Sequence, residues 1–157
     1  MEKVSVIIPC YNSGKTIEQT VKSIERQSWS NIDLIIVNDG SDDDYTLKIL
    51  PNFTNARIIN QKNSGLSSAR NKGITNAKGN YVFFLDADDW IEVDTISKMM
   101  KFMKKSSSNI IFSDTILEGE RQGLRKNNYN FFEQLFVNHI PYCLLIEKEL
   151  FKKVGNY

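Results

Sequence analysis

The chain has 157 residues, with 20 lysines and arginines against 19 aspartates and glutamates and a formal net charge of +1, the size of one domain with a core of its own. Such a balance excludes the global field of a nucleic-acid binder or an acidic tail, so any recognition of phosphate has to be local. The two cysteines, Cys10 and Cys143, are too few for a disulfide scaffold and read as structural thiols of a reduced intracellular protein.

In chain order, Val4 to Ile8 is a short β-branched run ended by Pro9, which reads as a strand and not as a signal peptide. No window approaches the apolar length needed to span a bilayer. The expectation is a soluble, cytoplasmic chain, with peripheral association at the inner face of a membrane through further segments left open. Ile17, Val21 and Ile24 fall at helical spacing with charged residues between them, an amphipathic crossover helix that Lys15 and Thr16 would start and Asn12 or Ser13 would cap. Further strand runs lie at Leu34 to Val37, Arg57 to Ile59, Tyr81 to Leu85, Ile110 to Phe112 and Cys143 to Ile146. Helices are expected over Leu66 to Ala77 and Val93 to Met103, with Met99, Met100 and Met103 as core filler. Lys104 to Asn109 is a polar breaker, and Glu118 to Asn130 reads as one long polar loop. His139, the sole histidine, is expected to be a packing or surface residue. Strands alternating with helices predict an α/β domain with a mostly parallel sheet flanked by helices.

Tyr81-Val82-Phe83-Phe84-Leu85 runs directly into Asp86-Ala87-Asp88-Asp89. Charges at the end of a buried strand are costly unless they are paired or hold something, and open α/β sheets bind ligands at the carboxyl ends of their strands. If the strand continued, Asp86 and Asp88 would share a face while Ala87 turned away. Crossovers of one hand bring the loops after successive parallel strands to the same sheet edge. Pro9-Cys10-Tyr11-Asn12, Asn38-Asp39-Gly40-Ser41-Asp42-Asp43, Asn63-Ser64-Gly65-Leu66-Ser67-Ser68-Ala69-Arg70-Asn71 and the Asp86 cluster would meet there. An aromatic ring, lone carboxylates, a fixed cation and a carboxylate pair suit a base, a ribose, a diphosphate and a divalent metal, so a nucleotide diphosphate is the expected guest. Gly14-Lys15-Thr16 is not a phosphate loop, because Pro9 stands where that loop needs its first glycine.

These four clusters, in this order, resemble the family 2 inverting nucleotide-sugar glycosyltransferases over nearly all of the chain. The resemblance implies the Rossmann-like nucleotide-diphospho-sugar transferase (GT-A) fold. It implies transfer of a sugar from a nucleotide-diphosphate donor, a UDP-sugar, to a glycan or lipid-linked acceptor in polysaccharide biosynthesis. Carried over residue by residue, Pro9, Tyr11 and Asn12 would line the base pocket, Asp39 would accept from the pyrimidine, and Arg70 would lie near the nucleotide. Asp86 would meet the ribose or sugar side, and Asp88 would ligate Mg²⁺ or Mn²⁺ bridging the phosphates. Inversion also calls for a positioned general base. In the family this is an acid downstream of a stretch similar to Leu150-Phe151-Lys152-Lys153-Val154-Gly155-Asn156-Tyr157, where this sequence stops. The expectation is therefore one nucleotide-sugar-binding domain over residues 1–157, truncated at its C-terminus and poor at transfer by itself; Asp89, Asp114 and Glu118 are the fallback bases.

Other readings are a non-catalytic nucleotide-binding fragment and a sugar-nucleotide nucleotidyltransferase, which would show a glycine-rich basic loop where Pro9 to Ser13 stands. A phosphoacceptor receiver domain would need an acidic pair in place of Tyr11-Asn12.

Overall fold

The computed structural model describes residues 1–118, 122–127, 129 and 143–157. Six of the described strands form one sheet in the order β3-β2-β1-β4-β8-β5. They are β1 (Val4–Cys10), β2 (Ile32–Asp39), β3 (Arg57–Gln61), β4 (Tyr81–Phe84), β5 (Ile110–Phe112) and β8 (Leu144–Glu147). The pairs β1–β2, β1–β4 and β2–β3 are parallel. β8 runs antiparallel between β4 and β5, so the sheet is mostly parallel, as expected, with a reversed strand near one edge. Helices α1 (Ile17–Glu25), α2 (Asp44–Ile49), α3 (Leu66–Asn76), α4 (Thr95–Lys105) and α5 (Leu150–Val154) are set between or after the strands.

Alternation sorts each strand between two apolar layers, because successive side chains point to opposite faces. Val6 and Ile8 of β1, Leu34 and Ile36 of β2, and Phe83 and Leu85 at β4 join Ile17, Val21 and Ile24 of α1 and Ile96, Met99, Met100 and Met103 of α4. Ile7, Ile35, Val37, Val82 and Phe84 face the other way, onto Ala69 and Ile74 of α3. The three methionines are core residues, as their spacing implied. All seven residues of β1 are buried, which is why a continuous apolar run and not an alternating one marks this central strand.

Several local expectations need correction. Neither Asn12 nor Ser13 caps α1 with a side chain; Thr16 is the N-cap residue and makes no side-chain cap bond, and the Ser13 carbonyl takes the first N–H groups, those of Thr16 and Ile17. Asn12, in the left-handed region at φ 51°, instead accepts from the Asp42 and Asp43 N–H groups and donates to the Asp42 carboxylate. The stretch predicted as one loop from Glu118 holds a strand, β7 (Gly123–Arg125), paired antiparallel with β6 (Thr115–Leu117) in a separate two-stranded sheet; Gly123 and the charged residues hid its pattern. The remainder of that loop in part, and His139, lie outside the described residues. α2 was not foreseen, since six residues beginning with Asp44 carry too short an apolar period to read. Asp43 caps it, accepting from the Thr46 N–H at 2.8 Å.

Candidate active site

The strand order reverses between β1 and β4, and a crevice opens there beyond the carboxyl ends of the strands, where an open α/β sheet takes its ligands. A cleft of about 410 Å³ is lined by Pro9, Cys10, Tyr11, Ser13, Asp39, Asn63, Gly65, Leu66, Ala69, Asp86 and Asp88. That volume is within the range of small-molecule sites. A groove of about 590 Å³ running along α1 past Lys15, Lys22 and Trp90 is larger, but it follows a helix flank and gathers none of the strand-end clusters.

Of the residues singled out in the sequence, Pro9, Tyr11, Asp39, Asp86 and Asp88 come together in this cleft. Tyr11 leaves nearly half of its surface exposed there. Asn12 and Arg70 do not line it. Asn12 is engaged by the loop before α2, and Arg70 sits beneath the floor, buried, with Nη2 donating to Asp86 Oδ1 at 2.8 Å. The guanidinium also lies 5.9 Å from the centre of the Phe84 ring and 5.5 Å from that of Tyr157. Arg70 is thus no solvated surface charge; it orients an acid of the site. Cys10, Ser13, Asn63, Gly65, Leu66 and Ala69 complete the cleft, and the signal for the last four was the conspicuous segment Asn63 to Asn71, read as a block.

Asp39 ends β2 and is almost fully buried. Its carboxylate accepts from Gln61 Nε2 at 2.7 Å and from the Ser64 and Gly65 N–H groups at 2.9 and 2.8 Å. It therefore holds the β3–α3 loop as one wall of the cleft. Gly40 explains the close fit of that wall, with φ +70°, which side-chain-bearing residues rarely adopt, and a Cβ that would lie 2.5 Å from Asn63 N, a clash that only glycine avoids.

β4 ends at Phe84, so Asp86 and Asp88 do not share a strand face. They project from a turn in which the Asp89 N–H donates to the Asp86 carbonyl at 3.1 Å. Ala87 turns inward and is buried, and its carbonyl accepts from Thr20 Oγ1 of α1 at 3.0 Å. The two acids still reach one cleft, by the turn and not by pleat alternation. Asp86 is committed to Arg70, whereas among the described residues nothing hydrogen-bonds or pairs with the Asp88 carboxylate. No group of three or more acids, histidines or cysteines among the described residues is placed to hold a metal. A cation here would rest on Asp88 and on oxygens from a ligand and water, the coordination that a hard divalent ion accepts beside phosphates.

A second concavity of about 220 Å³ shares Asp88 with the first and is lined also by Asp89, Trp90, Asp114, Glu118 and Cys143. The fallback acids Asp89, Asp114 and Glu118 thus stand together in a concavity that adjoins the cleft at Asp88 and that Tyr11 does not line. Burial first, then the neighbouring Asp88 and Asp86, pushes Asp89 above the ordinary carboxylate range. Burial first, then Asp89 and Asp86, push the Cys143 thiol up to about 12, leaving it protonated and 3.9 Å from Asp89 Oδ2. Cys10 is buried and raised chiefly by desolvation; both thiols are free.

The model of the family described as "Glycosyl transferase family 2" matches residues 5–156. The chain belongs to glycosyl transferase family 2. Among curated relatives, WfaP of Escherichia coli, a UDP-Glc:α-D-GlcNAc-diphosphoundecaprenol β-1,3-glucosyltransferase, is 40% identical over 121 residues, which are 75% of this chain and 48% of WfaP. The chain spans between 16% and 48% of the length of curated relatives that it matches. The crystal structure of S. aureus TarS 1-349 with UDP-GlcNAc superposes with a TM-score of 0.81 at 23% identity, over 96% of this chain and 47% of that one. The mannosyltransferase PcManGT of Pyrobaculum calidifontis, in complex with GDP-Man and Mn²⁺, superposes at 0.73 with 19% identity, over 99% and 47%. These likenesses establish the GT-A fold for the family 2 chain. No helix among the described residues is long and apolar enough to cross a membrane.

Proposed function

We propose that this chain binds the donor in a glycosyltransferase that moves a sugar, with inversion, from a nucleotide diphosphate, a UDP-sugar, to a glycan or lipid-linked acceptor of polysaccharide biosynthesis. The observation that carries the reading is the meeting of Pro9, Tyr11, Asp39, Asp86 and Asp88 in one cleft at the switch between β1 and β4. Tyr11 and Pro9 supply the flat apolar wall for a base. Asp39, with three protein donors already on its carboxylate, keeps its remaining acceptor capacity for the pyrimidine N–H. Asp86, held by Arg70, faces the ribose. Asn12 acts from behind, fixing the loop that carries Asp42 and Asp43, and Arg70 acts through Asp86 without touching the nucleotide.

Asp88 would hold Mg²⁺ or Mn²⁺ as the second acid of a DXD motif; the ion would neutralise charge on the departing diphosphate. The donor of WfaP and the nucleotide of the TarS complex support the uridine reading, and the PcManGT complex supports use of a divalent metal. The concavity beyond Asp88 would admit the acceptor, placing its hydroxyl on the side of the donor opposite the base pocket. Asp89, whose carboxyl is raised by burial and by Asp88 and Asp86, offers with Asp114 and Glu118 the described candidates for a base. We place the protein in the cytoplasm, where nucleotide sugars are supplied.

Titration calorimetry with UDP and with GDP, each with and without Mn²⁺, tests the reading. The expected result is metal-dependent binding that favours UDP. A parent protein that binds neither nucleotide in the presence of metal would overturn it.

A further inference from the structure

Tyr157 is fastened to α3 by an unusual contact. The side-chain amide of Asn71 takes its backbone from both sides, Nδ2 donating to the Tyr157 carbonyl at 2.8 Å and Oδ1 accepting from the Tyr157 N–H at 3.0 Å. This paired bond copies one rung of a β-ladder, and it fixes the residue's orientation as well as its position. The ring is thereby set edge-on to Phe84, with centroids 5.4 Å apart at 85°, and over the guanidinium of Arg70 at 5.5 Å. Arg70 holds Asp86 at 2.8 Å. Phe84, the last residue of β4, lies beside the same guanidinium, its ring centre 5.9 Å away.

A buried guanidinium set against two aromatic rings that brace each other edge to face has few ways to turn, so the direction in which it offers Nη2 is set by where the rings stand. We propose that Asn71 and Tyr157 are positioning residues for the ribose-side acid: Asn71 pins Tyr157, the Tyr157 ring locks Arg70, and Arg70 aims Asp86 at the ribose hydroxyls. This rests on the reading of the cleft as a uridine-diphosphate site with Asp86 at the ribose. It predicts that donor affinity depends on an amide that lines no part of the cleft. The hydroxyl of Tyr157 has no task in the chain of contacts, which uses only the ring and the backbone.

The test is calorimetry with Mn²⁺ on UDP and on 2′,3′-dideoxyuridine diphosphate, which lacks the groups Asp86 would meet. The parent binds UDP more tightly than the dideoxy analogue. Asn71→Ala and Tyr157→Ala each lose roughly tenfold in affinity for UDP, the effect of a misaligned hydrogen bond to a charged group, and less than about twofold for the analogue; Tyr157→Phe behaves as the parent. Losses equal for the two nucleotides, or none, overturn the relay while leaving the donor site in place. A parent that binds the two equally removes the ribose role of Asp86 and the relay with it, and a parent that binds neither removes the site. Should Asn71→Ala not fold, the contrast between Tyr157→Phe and Tyr157→Ala, at a residue half exposed to solvent, decides by itself.

Discussion

Asp39 and Asp88 are acids of one cleft with opposite employments. Asp39 spends its carboxylate on Gln61, Ser64 and Gly65, so Asp39→Ala leaves buried donors without an acceptor, at about 1–3 kcal/mol. The variant should melt lower by about 2–4 °C for each kcal/mol lost and bind uridine and UDP more weakly in the same proportion. Asp88 carries no such duty, so Asp88→Asn should keep the parent's melting temperature and lose most of the Mn²⁺-dependent part of UDP affinity. Unchanged metal-dependent binding by that variant would remove Asp88 as the ligand. Asp89 differs again. Its folded-state pKa is raised by burial and by Asp88 and Asp86, so the native state holds its proton more tightly than the unfolded chain, and stability falls as pH rises through the carboxylate range. Asp89→Asn should therefore raise the melting temperature at neutral pH without metal, with a gain that shrinks as pH falls through the raised folded value and is gone below about pH 4; a constant gain down to acid pH would mean that the charge is not the cause.

Between elements, the tight places are backbone against side chain. α3 lies on β1 because position 73 is glycine: a Cβ there would stand 2.3 Å from Ile7 Cγ2, inside the layer that joins helix to sheet. Gly73→Ala should cost about 1–3 kcal/mol as overpacking, although alanine is the better helix former, and denaturant titration should show a lower midpoint with the slope unchanged. At the opposite edge of the sheet from the cleft, Asp33 of β2 ties three elements together. It accepts from Ser5 of β1, Arg57 of β3 and the Lys78 N–H after α3. Burial alone would raise its pKa, but these donors together hold it below the ordinary carboxylate value. Its contribution is therefore present at pH above about 4 and is lost as pH falls through the lowered folded value. Asp33→Asn should flatten the acid limb of a melting-temperature profile; an unaltered acid limb would show that other carboxylates set it.

For the molecule as a whole, the two apolar layers make the sheet a rigid floor, and the loops at one edge supply the chemistry. α1 is pinned to the turn after β4 through Thr20 and Ala87, and the far end of α1 is tied to the segment before α4 through Gln27, which donates to the Glu92 carbonyl and accepts from the Ile96 N–H. The acid turn is therefore held from both flanks before any ligand arrives. Binding that adds nothing to the unfolded chain raises apparent stability, so UDP with Mn²⁺ together should shift the melting temperature by more than the sum of the two alone. Equal, additive shifts would mean that metal and nucleotide occupy separate sites.

The α/β order, the central apolar strands and the acids at the end of β4 were legible in the sequence, because a buried strand needs a continuous apolar run and a strand-end charge needs a reason. So were Tyr11 and Asp39, each placed directly after such a run. The packing of the chain decided what local pattern could not carry: that Asn12 belongs to the loop before α2, that Arg70 lies under the cleft and not in it, that Asp86 and Asp88 meet through a turn, that β8 runs backwards, and that Asn71 grasps Tyr157 across 86 residues of sequence. Periodicity and propensity describe neighbours within a few positions, whereas the partner of a buried charge is whatever the topology brings beside it, and that information is spread over the whole chain.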